Sequence, residues 1–180
     1  MIFAEPGSSI RRIFVAVVTL FTGISGTGTA AFAAATAWVN SDFSQIRLIA
    51  VPGESRQDIQ VGLQIRLEPG WKTYWRSPGD SGVPTIVDWS ASRNVSVSGL
   101  RWPVPHRSVV SGYQSFVYDD EVVLPVNLKA LDPAKTVHLK ADVNYAVCKE
   151  ICVPLQAVLS LDLEPGVGGK GANVHRRLLK

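Results

Sequence analysis

Ligating side chains are scarce in this 180-residue chain: it has two cysteines, three histidines and one methionine. Structural zinc takes four ligands, and beyond the cysteines the usual nitrogen donors are only His106, His138 and His175. His138 falls on the polar side of a strand pattern and His175 in the C-terminal stretch, so neither is drawn toward the cysteines. No metal ligands are therefore expected, although two thiolates alone would suit Cu(I) and keep a copper-handling role as an alternative. Charge of one sign is also scarce. The formal net charge is +3 and the basic residues are scattered, with no basic stripe interleaved with aromatics; nucleic acid is not an expected partner. Helical periodicity is missing after the first forty residues, and no second long apolar run follows the first. A chain that is 46% hydrophobic and 18% charged is nevertheless globular rather than disordered.

The N-terminus is where apolar residues concentrate. Arg11 and Arg12 precede the run IFVAVVTLF (13–21), and small residues follow with two A-x-A sites, Ala31-Phe32-Ala33 and Ala35-Thr36-Ala37. That order is a secretory signal peptide over residues 1–33, with cleavage as late as 37 as the variant. An uncleaved anchor is the rival, since no charge appears between Arg12 and Asp42. Yet TGISGTGTA is only weakly apolar, while spanning needs about 20 predominantly apolar residues. The paired arginines alone are a weak twin-arginine signal, so general secretion is favoured. The mature chain is expected to be exported, soluble and monomeric, in an oxidising compartment where disulfides persist.

Strand patterns fill the rest. Residues 58–68 alternate without a break, with Ile59, Val61, Leu63, Ile65 and Leu67 on one face. Val137 to Tyr145 and Leu155 to Leu163 do the same. Period-2 alternation of this length predicts half-buried antiparallel strands. Shorter candidates cover 43–51, 85–89, 95–102 and 122–130, with turn signals at Pro52-Gly53, Pro69-Gly70, Pro78-Gly79 and Asp132-Pro133 between them. Seven or eight short strands predict an all-β fold, an immunoglobulin-like antiparallel β-sandwich over residues 41–163. Residues 164–180 read as a Gly-rich basic tail. The aromatic run Trp71, Tyr74, Trp75 is read as core or corner packing rather than a sugar platform. Asp80 is expected to cap the turn begun at Pro78-Gly79, and Arg76 to be able to pair with it.

Both cysteines sit in YAVCKEICVP, as Cys148 and Cys152. On one continuous strand they would lie about 13 Å apart, beyond the roughly 7 Å Cα limit of a disulfide. On a helix they would be neighbours, but Pro154 and the flanking strand patterns oppose a helix. A hairpin whose tip carries both sulfurs is left. A ring of about five residues removes only about 2 kcal/mol of unfolded-state freedom, a weak clamp. Reversible oxidation needs two close, accessible thiols and uses the placement better. A static disulfide in a non-catalytic secreted module that binds a protein or carbohydrate remains the alternative. Lys149 would favour a neighbouring thiolate, and Glu150 would oppose it.

YAVCKEICVP, together with GWKTYWRSPGDSGVP (70–84) and VVLPV (122–126), resembles the N-terminal periplasmic domain of the disulfide-interchange protein DsbD and its ScsB-type and "disulfide bond corrector" relatives. The resemblance spans roughly residues 41–163. It implies an immunoglobulin-like sandwich that acts as a protein-disulfide reductase-type redox component without a cofactor. Such a domain takes electrons from a membrane-embedded thiol donor and passes them to periplasmic thioredoxin-like acceptors, such as disulfide isomerases or cytochrome c maturation factors. It also implies that Cys148 and Cys152 are the catalytic pair and that Cys152 forms the mixed disulfide with the acceptor. A flexible cap loop shields the family's cysteines. The segment that corresponds is 106–121, with Tyr113 and Phe116 as candidate covers; the competing reading makes Phe116 and Tyr118 inward-packing strand residues.

Overall fold

The computed structural model of the protein describes residues 34–52, 55 and 57–165. The segment read as a signal peptide (1–33) and nearly all of the tail lie outside them. In chain order the strands are β1 (Ala34–Ala35), β2 (Val39–Asn40), β3 (Ser44–Pro52), β4 (Asp58–Leu67), β5 (Lys72–Gly79) and β6 (Ile86–Asp88). They continue with β7 (Val95–Val97), β8 (His106–Val110), β9 (Tyr113–Asp119), β10 (Glu121–Ala130), β11 (Val137–Cys148) and β12 (Cys152–Leu163). No helix occurs among the described residues.

The strands form two antiparallel sheets. One has the order β1-β3-β4-β10-β7, with β2 also on β3; the other has the order β12-β11-β5-β9-β8, with β6 also on β11. The all-β immunoglobulin-like sandwich expected from the alternation is what the chain adopts. Inward residues of β4, β10 and β11, among them Leu63, Ile65, Leu124 and Leu139, are fully buried between the sheets. Burying each such side chain contributes about 1.5–3 kcal/mol. The sheets are also joined by a polar contact, Ser44 Oγ to Tyr145 Oη at 2.9 Å, both groups buried. Burial pushes the Tyr145 phenol up, with hydrogen bonds from Ser44 and Ser41 opposing the shift, so it stays protonated.

The strand count exceeds the expected seven or eight for definite reasons. Upstream of Ser41, β1 and β2 both pair with β3, and Thr36 donates its N–H to Leu48 O while its Oγ1 accepts from Leu48 N–H, so paired chain begins before the expected boundary. Downstream, the segment 95–102 keeps strand pairing only to Val97. Pro103 and Pro105, which carry no N–H for a ladder, follow in the irregular connection to β8. The aromatic run became β5, and the segment expected to be a cap loop became the β8–β9 hairpin.

Candidate redox site

β11 and β12 pair from Val137 with Leu163 to Cys148 with Cys152, leaving only Lys149, Glu150 and Ile151 as the loop. The cysteines face each other across the ladder with Cα atoms 4.1 Å apart, and their sulfurs are joined in a disulfide. The strands thus run on to the cysteines themselves, beyond the alternating runs that end at Tyr145 and begin at Leu155.

Strand position makes the two sulfurs unequal. β11 is an inner strand, with β12 on one side and Lys72 of β5 opposite Cys148 on the other. Cys148 is accordingly only 5% exposed, packed with Tyr74 and Val117. β12 is the edge strand, and Cys152 is exposed. Both lie on the outer face of their sheet, because Tyr145 and Val147 take the inward positions of β11. A recess of about 240 Å³ opens beside them, lined by Lys72, Tyr74, Tyr113, Ser115 and Lys149 among others.

Alternation on β5 decides what reaches the sulfurs. Trp71 and Trp75 pack against the core, Trp71 stacked on Phe43 at 4.2 Å, as expected of the aromatic run. Tyr74 points the other way and brings its hydroxyl to 3.6 Å from Cys152 Sγ. Its ring occupies the space over Gly82: a Cβ there would come within 2.1 Å of the ring, and Gly82 has φ of +104°. Only glycine fits that close approach. Asp80 does not make a local cap. Its backbone N–H and carboxylate each bond to Gln114 of β9, at 2.8 Å, fastening the loop across the sheet. Arg76 lies 4.8 Å over the Trp75 ring and makes no ion pair with Asp80. Tyr74 is the neighbour that reading the run as packing alone missed. The signal was its position one residue before Trp75, which on a strand puts the two on opposite faces.

The same parity separates the two candidate covers. Tyr113, Ser115 and Val117 share the cysteine face of β9, and Tyr113 lines the recess. Phe116 is on the opposite face, edge-on to Trp75 at 5.8 Å. Tyr118 packs inward, donates to Pro103 O at 2.8 Å, and burial pushes its phenol up to about 12. In place of a loop, the segment is a hairpin closed by Ser111 and Gly112, both at positive φ, as a two-residue turn matching strand twist requires. Of the histidines, His106 pairs with Asp119 and His138 with Asp162, each at 2.8 Å.

Residues 44–164 match the family model described as "Thiol:disulfide interchange protein DsbD, N-terminal". The chain belongs to the DsbD N-terminal domain family. Among solved structures it is similar to the N-terminal periplasmic domain of ScsB from Proteus mirabilis, with 36% identity and a TM-score of 0.61. That match covers 74% of this chain and 53% of the ScsB one, so the chain spans about half the length of that relative. The N-terminal domain of DsbD from Neisseria meningitidis in the reduced form is also matched, at 16% identity and a TM-score of 0.36, covering 66% of this chain and 83% of that one. A search of curated protein sequences gives no match. The family match and the Cys148–Cys152 disulfide together support a thiol–disulfide exchange module.

Proposed function

We propose that the chain is a periplasmic electron-transfer module. It accepts two electrons from a membrane-embedded thiol protein and delivers them to thioredoxin-like acceptors, cycling between the Cys148–Cys152 disulfide and its dithiol. The observation that carries this reading is the inequality of the pair: one sulfur reachable on an edge strand, the other buried directly behind it. Exchange needs that division, because an entering thiolate must reach one sulfur while the second stays close enough to resolve the mixed disulfide. Family membership supports it, and so does the weakness of a five-residue ring as a clamp, about 2 kcal/mol. The signal-like residues 1–33 and the periplasmic origin of the ScsB relative support the compartment. Of the two cap candidates, Tyr113 is the one in a position to shield the pair.

Trapping tests the proposal. Cys148→Ser removes the resolving thiol, so Cys152 should hold a thioredoxin-like acceptor as a mixed disulfide on a non-reducing gel. Cys152→Ser should hold none. Equal trapping by both variants would refute the division of roles, and trapping by neither would return the pair to a static disulfide.

A further inference from the structure

We propose that the Tyr74 hydroxyl is the hydrogen-bond donor that stabilises the Cys152 thiolate, a catalytic group of the exchange reaction rather than a packing residue. The inference rests on the reading of Cys152 as the sulfur that exchanges. Its basis is the contact of a buried phenol with the exposed sulfur, at the edge of a recess that Lys72, Lys149 and Glu150 also line. Tyr74 is 5% exposed and packed with Val117 and Cys148, yet its hydroxyl lies 3.6 Å from Cys152 Sγ. A disulfide sulfur carries no hydrogen, so in that contact the phenol must be the donor. Behind it, Ser81 opposes the upward shift of the phenol, and Ser81 Oγ is 2.9 Å from Ser115 Oγ. Ser115 Oγ also donates to Ser81 O at 3.3 Å, so the two serines tie the loop beside the phenol to β9. Burial pushes the Tyr74 phenol up, against a smaller opposing effect of Ser81, so the proton stays on the donor wherever the thiol titrates.

The loop that carries Ser81 is built to hold this arrangement. Asp80 fixes it to β9 through Gln114, and Gly82 leaves room for the phenol ring that no other residue would leave.

In the dithiol form the donor acts at the nucleophile. The Cys152 thiolate attacks one sulfur of the acceptor's disulfide and forms the mixed S–S bond. The acceptor's other sulfur leaves as a thiolate and takes a proton from water. Cys148 then loses its proton to water, attacks Cys152 Sγ, and expels the acceptor's second sulfur as a thiolate. Two electrons have left the pair, and the Cys148–Cys152 bond has re-formed. Tyr74 favours the ionised sulfur that begins the sequence.

The test uses lone Cys152 in the Cys148→Ser variant, alkylated with iodoacetamide across a pH series, with and without Tyr74→Phe. Loss of one charge-assisted hydrogen bond should raise the midpoint by about one pH unit. Below the midpoint the thiolate fraction then falls about tenfold, while its intrinsic nucleophilicity rises about threefold, so alkylation should slow about threefold. Ser81→Ala should move the midpoint in the same direction by less. A ring that merely covers the sulfur predicts the opposite sign for any loosening, namely faster alkylation at an unchanged midpoint. An unmoved midpoint in Tyr74→Phe, with folding intact by thermal melt, overturns the proposal. Should Tyr74→Phe misfold, Ser81→Ala decides alone. No acceptor is needed, so the two readings fail separately: a shifted midpoint without trapping keeps the donor and removes the exchange pathway, and trapping with an unmoved midpoint does the reverse.

Discussion

The β11–β12 hairpin alternates inward and outward side chains along its length, and its inward residues from Val137 to Leu163 belong to the main core. The β8–β9 hairpin, on the far side of β5 in the same sheet, pairs only five couples, from His106 with Val117 to Val110 with Tyr113. Its apolar tip is left in water: Val109, Val110 and Tyr113 are 54%, 60% and 61% exposed. β8 also has no neighbour but β9. Both strands of the first hairpin are therefore anchored in the main core, whereas in the second only β9 is anchored, through β5, and β8 is held by little beyond its own ladder. The disulfide sits at the tip of the first, with Tyr113 of the second lining the recess beside it. Chemistry that must keep two sulfurs in register and still admit a partner benefits from that contrast. In the proposed exchange, the firmly held element would fix the sulfurs and Tyr113 of the other would stand at the recess through which they are reached.

The contrast breaks first under core truncation. Leu139→Ala, on β11 and 1% exposed, should cost about 2–5 kcal/mol, the transfer term plus the cavity it leaves. Val109→Ala on β8 should stay within about 0.5 kcal/mol. Urea titration of both variants measures the difference as displaced midpoints at similar slope. Comparable losses would mean that β8 is held as firmly as β11.

Next in size is removal of the disulfide. The Cys148→Ser/Cys152→Ser double variant should stay folded and lose about 2 kcal/mol, because the ring is short and the ladder already brings its ends together. That is a minor share of the 5–15 kcal/mol typical of a domain. A double variant that cannot fold would make the bond a structural clamp and favour the static-disulfide reading.

Legibility in the sequence followed side-chain alternation. The faces of β4, β11 and β12 were readable because Ile59 to Leu67, Val137 to Tyr145 and Leu155 to Leu163 repeat every second residue, and a slip of one would turn each face out to water. The cysteine hairpin followed by elimination from spacing and Pro154. β5 was harder, since Thr73, Tyr74 and Trp75 are all large or β-branched and mask the period, and Pro-Gly follows at once. Its register against β9 also shifts between Tyr74 and Gly79, an irregularity that no local pattern announces. β8 and β9 alternate poorly because both of their faces are partly exposed, so a loop was the natural reading of 106–121. The β1 and β2 pairings lie in stretches of two residues, too short for any periodicity.

The smallest expected effect separates the two aromatics of the β9 strand. Tyr113 lines the recess beside the disulfide, whereas Phe116 sits on the other face against Trp75. A residue that shields the pair limits the approach of a small thiol without contributing much to stability. Tyr113→Ala, already 61% exposed, should change the unfolding midpoint within about 0.5 kcal/mol yet speed reduction of Cys148–Cys152 by dithiothreitol a few-fold. Phe116→Ala removes an edge-on contact worth about 0.5–1.5 kcal/mol and should leave that rate unchanged. The two variants thus move opposite observables, one the rate of reduction and the other stability. Equal acceleration by both would mean that loosening β9 as a whole, rather than uncovering the recess, controls access to the sulfurs.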